Sequence, residues 1–453
     1  MTRKARGVTG QLERRIEKAL APGTFIAYDA GFSFVRGLGA VEAELAKLVS
    51  TDPREAAQVY ETFLAGCYGK AEEIDDSSGG FGLFVGQLYC GWIRARQEAR
   101  ADPGETAERI VGWMEDDPYG FCYQLEKEAA KAFDRAGLAA FVSAIRERFD
   151  AASKLPQGEA PRHHPDRTRR RWGATLRTLY LEQRDAQAYL ELAEETGLTA
   201  EDCHALATML VAQQRAEDAL SWVERGLEIA ERAKRRGMAG YDLGRLRRGL
   251  LTMLGRGEEA LAAAWAEYQQ HPSKYTYGEL VKFVPEPERA AWHEKAIEAA
   301  NGADLHSLID LLAETGELTR LATLVRRTGD EALEGVSHYV TEPAAKKLEH
   351  TDPDVAARLW RAQGMRLVQG RKSKYYDAAL ANFERARRCF EQAGLAMEWQ
   401  RLVETVRAEH HRKAGFMAGF EELIAGSGPS RKSSFLERAK ARWGHDRRPR
   451  GRG

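Results

Sequence analysis

What this sequence lacks narrows it first. No apolar run approaches the ~18 residues that a membrane-crossing helix needs, so no membrane contact is expected. The first ten residues are polar and basic with no apolar core after them, so no leader is expected. Cysteine is scarce and scattered: Cys67, Cys90, Cys122, Cys203 and Cys389 form an odd set without a CxxC pair. Such a set argues against a disulfide frame or a zinc knuckle and suits a reducing cytoplasm. Net charge is missing too, since Lys+Arg and Asp+Glu both total 68, and nothing global pulls the chain toward nucleic acid. Strand-like alternation of apolar and polar residues is hard to find. No GxSxG, HExxH, Walker loop or dinucleotide fingerprint occurs, and the glycines are spread through turns. An enzyme needs a nucleophile, a base and a positioning group in mutual reach. The chain therefore reads as non-enzymatic, with no cofactor and no metal.

What is present is helix, organised around a hairpin from Leu206 to Ala230. Its first helix sets Leu206, Met209 and Leu210 on one face, a polar turn follows through Gln213, Gln214 and Arg215, and the return helix presents Ala219, Leu220, Val223 and Leu227. Small residues let two such helices approach, but a lone hairpin cannot bury its apolar face and needs neighbours. Loose copies supply them. Leu243 to Leu254 and Ala260 to Tyr268 flank Gly255-Arg256-Gly257, and Val355 to Leu367 and Tyr376 to Phe390 flank Gly370. The Ala219-Leu220 pair recurs as Ala260-Leu261, a spacing of 41 residues, longer than the ~34 of a tetratricopeptide unit. The expected fold is all-α, an irregular tetratricopeptide-like solenoid of helical hairpins.

Helix starts are written as a cap followed by proline: Thr51-Asp52-Pro53, Asp102-Pro103, Asp117-Pro118 and Thr351-Asp352-Pro353. The cap side chain accepts from an orphan backbone N–H, and proline lacks the donor that would go unpaired. Helices are expected near Pro53, Pro103, Pro118 and Pro353, with a shorter one over Gln11 to Ala19. The rings of Phe25, Tyr28, Phe32 and Phe34 are expected to pack the first helical layer. In Glu72 to Phe84 the pair Asp75-Asp76, with Ser77 and Ser78, has oxygens for a hard cation. No EF-hand spacing closes it, and the favoured reading is a helix end at Ile74 with Asp or Ser capping the next helix.

Several stretches resemble a known family. FIAY from Phe25, IDDSSG from Ile74, DPYG from Asp117 and AGL from Ala136, with YYDAALANFERARRCFEQAGLAMEW leading into VRAEHHRKAGFM, are similar to the helical region of bacterial SWIM zinc-finger proteins and related uncharacterised proteins. The likeness covers most of residues 25 to 420. The SWIM finger itself needs a CxC…CxH ligand set, which this chain lacks, so no zinc or DNA role follows. The resemblance implies a helical region without an established activity.

Composition suggests the organisation: an N-terminal arm at 1–22, a helical domain at 23–151, a Pro/Arg-rich linker at 152–167, a repeat domain at 168–426 and a basic tail at 427–453. The linker and the helix after it, expected to start near Thr168, concentrate Arg167, Arg169, Arg170 and Arg171 beside His163, His164 and Trp172. Such a cluster grips phosphate and stacks a base, or lies on a solvated helix face. The adjacent histidines lack a third ligand for a metal. Residues 431–453 hold nine basic and two acidic side chains, a net of +7 that includes Arg447 and Arg448.

Two functions follow. The first is a cytoplasmic interaction scaffold with a protein partner, touched by Tyr241, Arg245, Arg248, Tyr275 and Tyr277, which lie off the leucine stripes. The alternative is a nucleic-acid-associated accessory protein using Arg167, Arg169, Arg170, Arg171, Arg447 and Arg448.

Overall fold

A computed structural model of the chain describes residues 3–152, 165–233, 237–370 and 372–426. The chain forms two compact units, 1–254 and 255–453. Among the described residues the structure is helical throughout, with one isolated bridge between Ile26 and Ile74.

The first unit opens with α1 (Arg3–Ala19), α2 (Tyr28–Val49), α3 (Pro53–Lys70) and α4 (Gly80–Glu98). It continues with α5 (Pro103–Glu115), α6 (Leu125–Ala132), α7 (Arg135–Ala152) and α8 (Pro165–Gln183). It ends with α9 (Ala186–Thr196), α10 (Ala200–Ala212), α11 (Ala216–Arg232) and α12 (Met238–Met253). The second unit begins with α13 (Gly257–Gln270), α14 (Lys274–Val281), α15 (Arg289–Ala299) and α16 (Leu305–Thr315). Then come α17 (Leu318–Arg327), α18 (Asp330–Gly335), α19 (His338–Leu348) and α20 (Pro353–Gln369). The last are α21 (Tyr376–Gln392), α22 (Ala396–His410) and α23 (Ala414–Ile424).

The expected hairpins form. Helices α10 and α11 pack on each other around the Gln213–Arg215 turn, with Gln214 left-handed at φ 61°, and α12 packs on α11. In the second unit α20 and α21 form another close pair. Close approach is bought by glycine: a Cβ on Gly226 would lie 2.7 Å from the Cβ of Cys203, and one on Gly364 would lie 2.8 Å from the Phe383 ring. Helix length varies from 6 residues in α18 to 22 in α2, so the repeats are irregular. One core of the first unit runs from Leu12 to Met209, and one of the second from Ala264 to Leu423. Phe149 and Trp172, on either side of the stretch 152–167, share the first of these cores.

Three of the four proline-marked starts are helix starts: Asp52 and Asp102 each cap the amide three residues on, and α20 begins at Pro353. Asp117-Pro118 is not one. There the carboxylate accepts from the amides of Phe121 (3.0 Å) and Cys122 (2.7 Å) and from the Tyr68 hydroxyl (3.0 Å), which folds a turn instead. Helix α1 starts at Arg3, ahead of Gln11, and α8 at Pro165, ahead of Thr168.

Candidate functional site: an apolar groove on the first unit

The groove begins with a turn. After the short helical turn at Ala71–Glu73, Gly79 adopts φ 70°, and Asp76 reaches across it to accept from the amides of Phe81 (2.9 Å) and Gly82 (2.8 Å). Those amides are orphan donors of the first turn of α4, so the carboxylate both satisfies them and complements the helix dipole. Asp75 accepts from the Ser77 amide at 3.1 Å and from its hydroxyl, which holds its carboxyl below the ordinary range. The favoured reading of this loop, a carboxylate capping the next helix, matches the geometry. The preceding helix stops at Glu73, not Ile74, because Ile26 pairs there: its N–H donates to Glu73 O at 2.8 Å, and Asp75 N–H donates to Ile26 O at 2.9 Å.

From that capped end, α4 runs one face along the floor of a groove of about 800 Å³. Gly82, Leu83, Gly86, Cys90 and Arg94 recur at helical spacing, and the two glycines leave the helix backbone uncovered. The opposite wall is the 119–125 turn, which needs left-handed backbone at Gly120 (φ 75°) and Gln124 (φ 58°). Beneath it lies a chain of rings: Phe81 meets Phe121 edge-on at 5.6 Å, and Phe121 meets Tyr68 at 5.0 Å. The Tyr68 hydroxyl bridges the Asp117 carboxylate and Tyr89, 2.8 Å away, and burial pushes its pKa up. This network ties the wall to the core, while Leu83 (74 % exposed) and Tyr123 (81 %) are open to solvent around the groove.

Cys90 in the groove is not an activated nucleophile. Burial pushes the Cys90 thiol up to about 11, only partly opposed by Arg94, so it stays protonated near neutral pH. What the lining offers is apolar contact with a few charges, Glu42, Asp76, Arg94, Lys127 and Glu128.

The expectation for the N-terminal rings is overturned in part. Phe34 packs against the core, but Phe25 (65 % exposed) and Phe32 (60 %) are open to solvent, as is Tyr28. The pairing of Ile26 with Glu73 and Asp75 fixes the chain at α2's start, so that Tyr28 and Phe32, one turn apart, share its outer face. The same short loop, Glu72 to Asp76, joins these rings to the groove: Asp76 lines it, and Tyr119 donates to Glu72 at 3.2 Å. Large apolar side chains exposed together, not singly, are the signal, and sequence alone did not separate them from core rings.

The residues expected to meet a protein partner divide. Tyr241 and Arg245 are exposed on α12, with Arg245 3.5 Å from Asp242, and Tyr275 is exposed on α14. Arg248 is corrected: it is 3 % exposed, because it lies one turn before Leu251 on the inward side of α12. Tyr277 is half-buried and its hydroxyl is engaged by His293 Nδ1 at 2.7 Å.

In the arginine cluster, Arg169 pairs with Glu195 at 2.9 Å and lies 4.5 Å over the Phe149 ring. Arg171 donates to the Met114 carbonyl and covers the Trp172 ring. Trp172 is buried and cannot stack a base, whereas Arg167 and Arg170 face solvent. His163, His164, Arg447 and Arg448 lie outside the described residues. Spacing also missed a contact made by the fold: among the described residues, His293, Glu294 and Glu317 bring ligand-type atoms within 4.8 Å of one another. Arg320 cross-links that cluster, 2.6 Å from Glu294 and 3.6 Å from Glu317, as an ion-pair network.

No curated protein matches this chain. Among solved structures it is similar to a chain in the structure of Naa15/Naa10 bound to HypK-THB, at 15 % identity and a TM-score of 0.34. That match covers 89 % of this chain and 63 % of the other, so this chain spans less than two thirds of its length. It is also similar to a circular tandem repeat protein with novel repeat topology and enhanced subunit contact surfaces, at 11 % identity, with 93 % of this chain and 99 % of that one covered and a TM-score of 0.20. The uncharacterised half of the sequence resemblance is met by a family model, while the SWIM half finds no support among these matches. That model matches residues 4–418, and the chain belongs to its family, a family of unknown function (DUF6880).

Proposed function

We propose that this chain is a protein-interaction scaffold without catalytic activity, and that it seats an apolar segment of its partner in the groove of the first unit. The observation that carries this reading is the exposure of Leu83 and Tyr123 around a groove walled by a capped helix and a hydrogen-bonded turn. A wall already held by hydrogen bonds lowers the cost of binding, because less ordering remains to be done when the partner arrives. Large exposed rings at a groove are the anchors that protein interfaces use. The exposed rings at 25–32 extend the same surface. Five free cysteines support a reducing compartment, and we place the protein in the cytoplasm. The link to SWIM zinc-finger proteins rests on the sequence motifs alone, FIAY, IDDSSG, DPYG and AGL with the stretches from Tyr375 and Val406. The nucleic-acid alternative is the weaker, since Arg169 and Arg171 are engaged within the fold.

The test is site-specific crosslinking in the native host, with a photoreactive phenylalanine at Leu83, at Tyr123 or at the exposed Tyr275, in lysate treated or untreated with nuclease. A discrete protein adduct from positions 83 and 123 that survives nuclease supports the proposal. Adducts from position 275 alone, or adducts that vanish with nuclease, overturn it.

A further inference from the structure

On the second unit, Trp265 of α13 and Trp292 of α15 meet almost at right angles, with ring centroids 5.4 Å apart and planes at 76°. The ammonium of Lys295 sits in the corner they make, 4.1 Å from the Trp292 centroid and 4.4 Å from that of Trp265. Every other cation placed over a ring among the described residues covers a single ring. The walls are held from behind. Tyr268 stacks on Trp265 at 5.8 Å and 25°, the Trp292 indole N–H donates to Glu288 at 3.1 Å, and both indoles pack against the core of the unit.

We propose that the Trp265–Trp292 corner is a binding site for quaternary ammonium groups, which Lys295 occupies as an intramolecular stand-in. Indole faces are the strongest cation-attracting surfaces among side chains, and cages of them recognise methylated ammonium groups. The corner also has a selectivity that follows from what surrounds the stand-in. Among the described residues, no carboxylate pairs with the Lys295 ammonium and no acceptor takes its protons. A primary ammonium is compact and strongly hydrated, and it gives up water there without gaining an acceptor. A trimethylammonium has no N–H to satisfy, carries the same charge, and packs its methyl groups on both rings. Lys295 is exposed, so its side chain can leave for solvent when such a group arrives. The site is independent of the groove on the first unit.

The test uses the full chain labelled with 5-fluorotryptophan, the Trp265 and Trp292 fluorine signals being assigned with Trp265→Phe and Trp292→Phe. Wild type, Lys295→Met and Lys295→Gln are titrated with tetramethylammonium chloride, and with the neutral isostere 3,3-dimethylbutan-1-ol of choline. A tethered competitor acts at an effective concentration in the millimolar range, so removing it is expected to tighten cation binding. The expected result is a saturable shift of those two signals with the cation, absent with the alcohol and tighter in both variants. Choline and a short peptide bearing trimethyl-lysine then separate the two sources of the group, a free small molecule or a modified chain. An equal response to cation and alcohol, or no saturable shift in either folded variant, overturns the proposal.

Discussion

Arg177 of α8 and Asp202 of α10 are joined at 2.7 Å between Nε and a carboxylate oxygen, with Asp202 almost fully buried. The same carboxylate accepts from the Tyr189 hydroxyl at 3.0 Å, the Thr199 hydroxyl at 2.8 Å and the Thr199 amide at 3.1 Å. One side chain thereby caps α10 and fastens α8 and α9 to it. Removing one partner of a buried pair leaves a charge uncompensated, so Asp202→Ala is expected to cost about 3–5 kcal/mol, and Tyr189→Phe about 1 kcal/mol. Urea midpoints of the two variants against wild type measure both. Burial raises the Asp202 pKa, but Arg177 and Thr199 outweigh it and the carboxyl stays below its ordinary value. A lowered folded pKa means stability present above the unfolded pKa and lost as pH falls through the folded one. Wild type is therefore expected to lose stability below pH about 4, the ordinary aspartate range, and Asp202→Asn to show a shallower loss there.

Asp76 caps α4 through two backbone amides. Asp76→Ala is expected to destabilise the first unit by about 1–2 kcal/mol. Asp75→Ala, whose carboxylate serves only Ser77 among the described residues, is expected to cost less. A thermal melt ranks the pair, and an Asp75→Ala loss equal to that of Asp76→Ala contradicts the assignment.

Two helical glycines are expected to respond in opposite directions to alanine. A Cβ on Gly364 meets the Phe383 ring, and overpacking of that kind costs about 1–3 kcal/mol. A Cβ on Gly86 meets nothing within 4 Å, and the gain in helix propensity is about 0.5–1 kcal/mol. Gly86→Ala also narrows the groove floor, so crosslinking from Leu83 is expected to fall while the melting temperature rises.

The arginine cluster gives a further separation. Arg169→Ala and Arg171→Ala each remove a contact within the fold and are expected to cost up to about 1 kcal/mol, while the exposed Arg170→Ala stays within about 0.5 kcal/mol of wild type. Chemical denaturation of the three single variants decides this. A nucleic-acid assay on a triple variant mixes the two effects, so Arg167→Ala with Arg170→Ala is the cleaner pair.

The chain alone determined the helical class, the 206–230 hairpin and its copies, and most of the capped starts. Each of these rests on neighbours in sequence: a spacing of three and four, a carboxylate before a proline, a glycine after a stripe. Asp76 as a cap was legible for the same reason. The exposed rings at Phe25 and Phe32 and the buried Arg248 were not, and at Asp117-Pro118 the cap-and-proline pattern pointed to a helix start where the chain turns. Phe25 and Phe32 look like core until Ile26 pairs with a loop some fifty residues away and turns them outward. Arg248 looks like surface until α12 is rotated against its unit. The Trp265–Trp292 corner and the Tyr277–His293–Glu317 chain join separate helices, and their spacing in sequence carries no trace of the meeting. Local pattern specifies which residues become helix, because the backbone's own hydrogen bonds and caps are local. Which side chains meet and which stay wet was decided only by tertiary packing, where each helix must turn its apolar face to a partner distant in the chain.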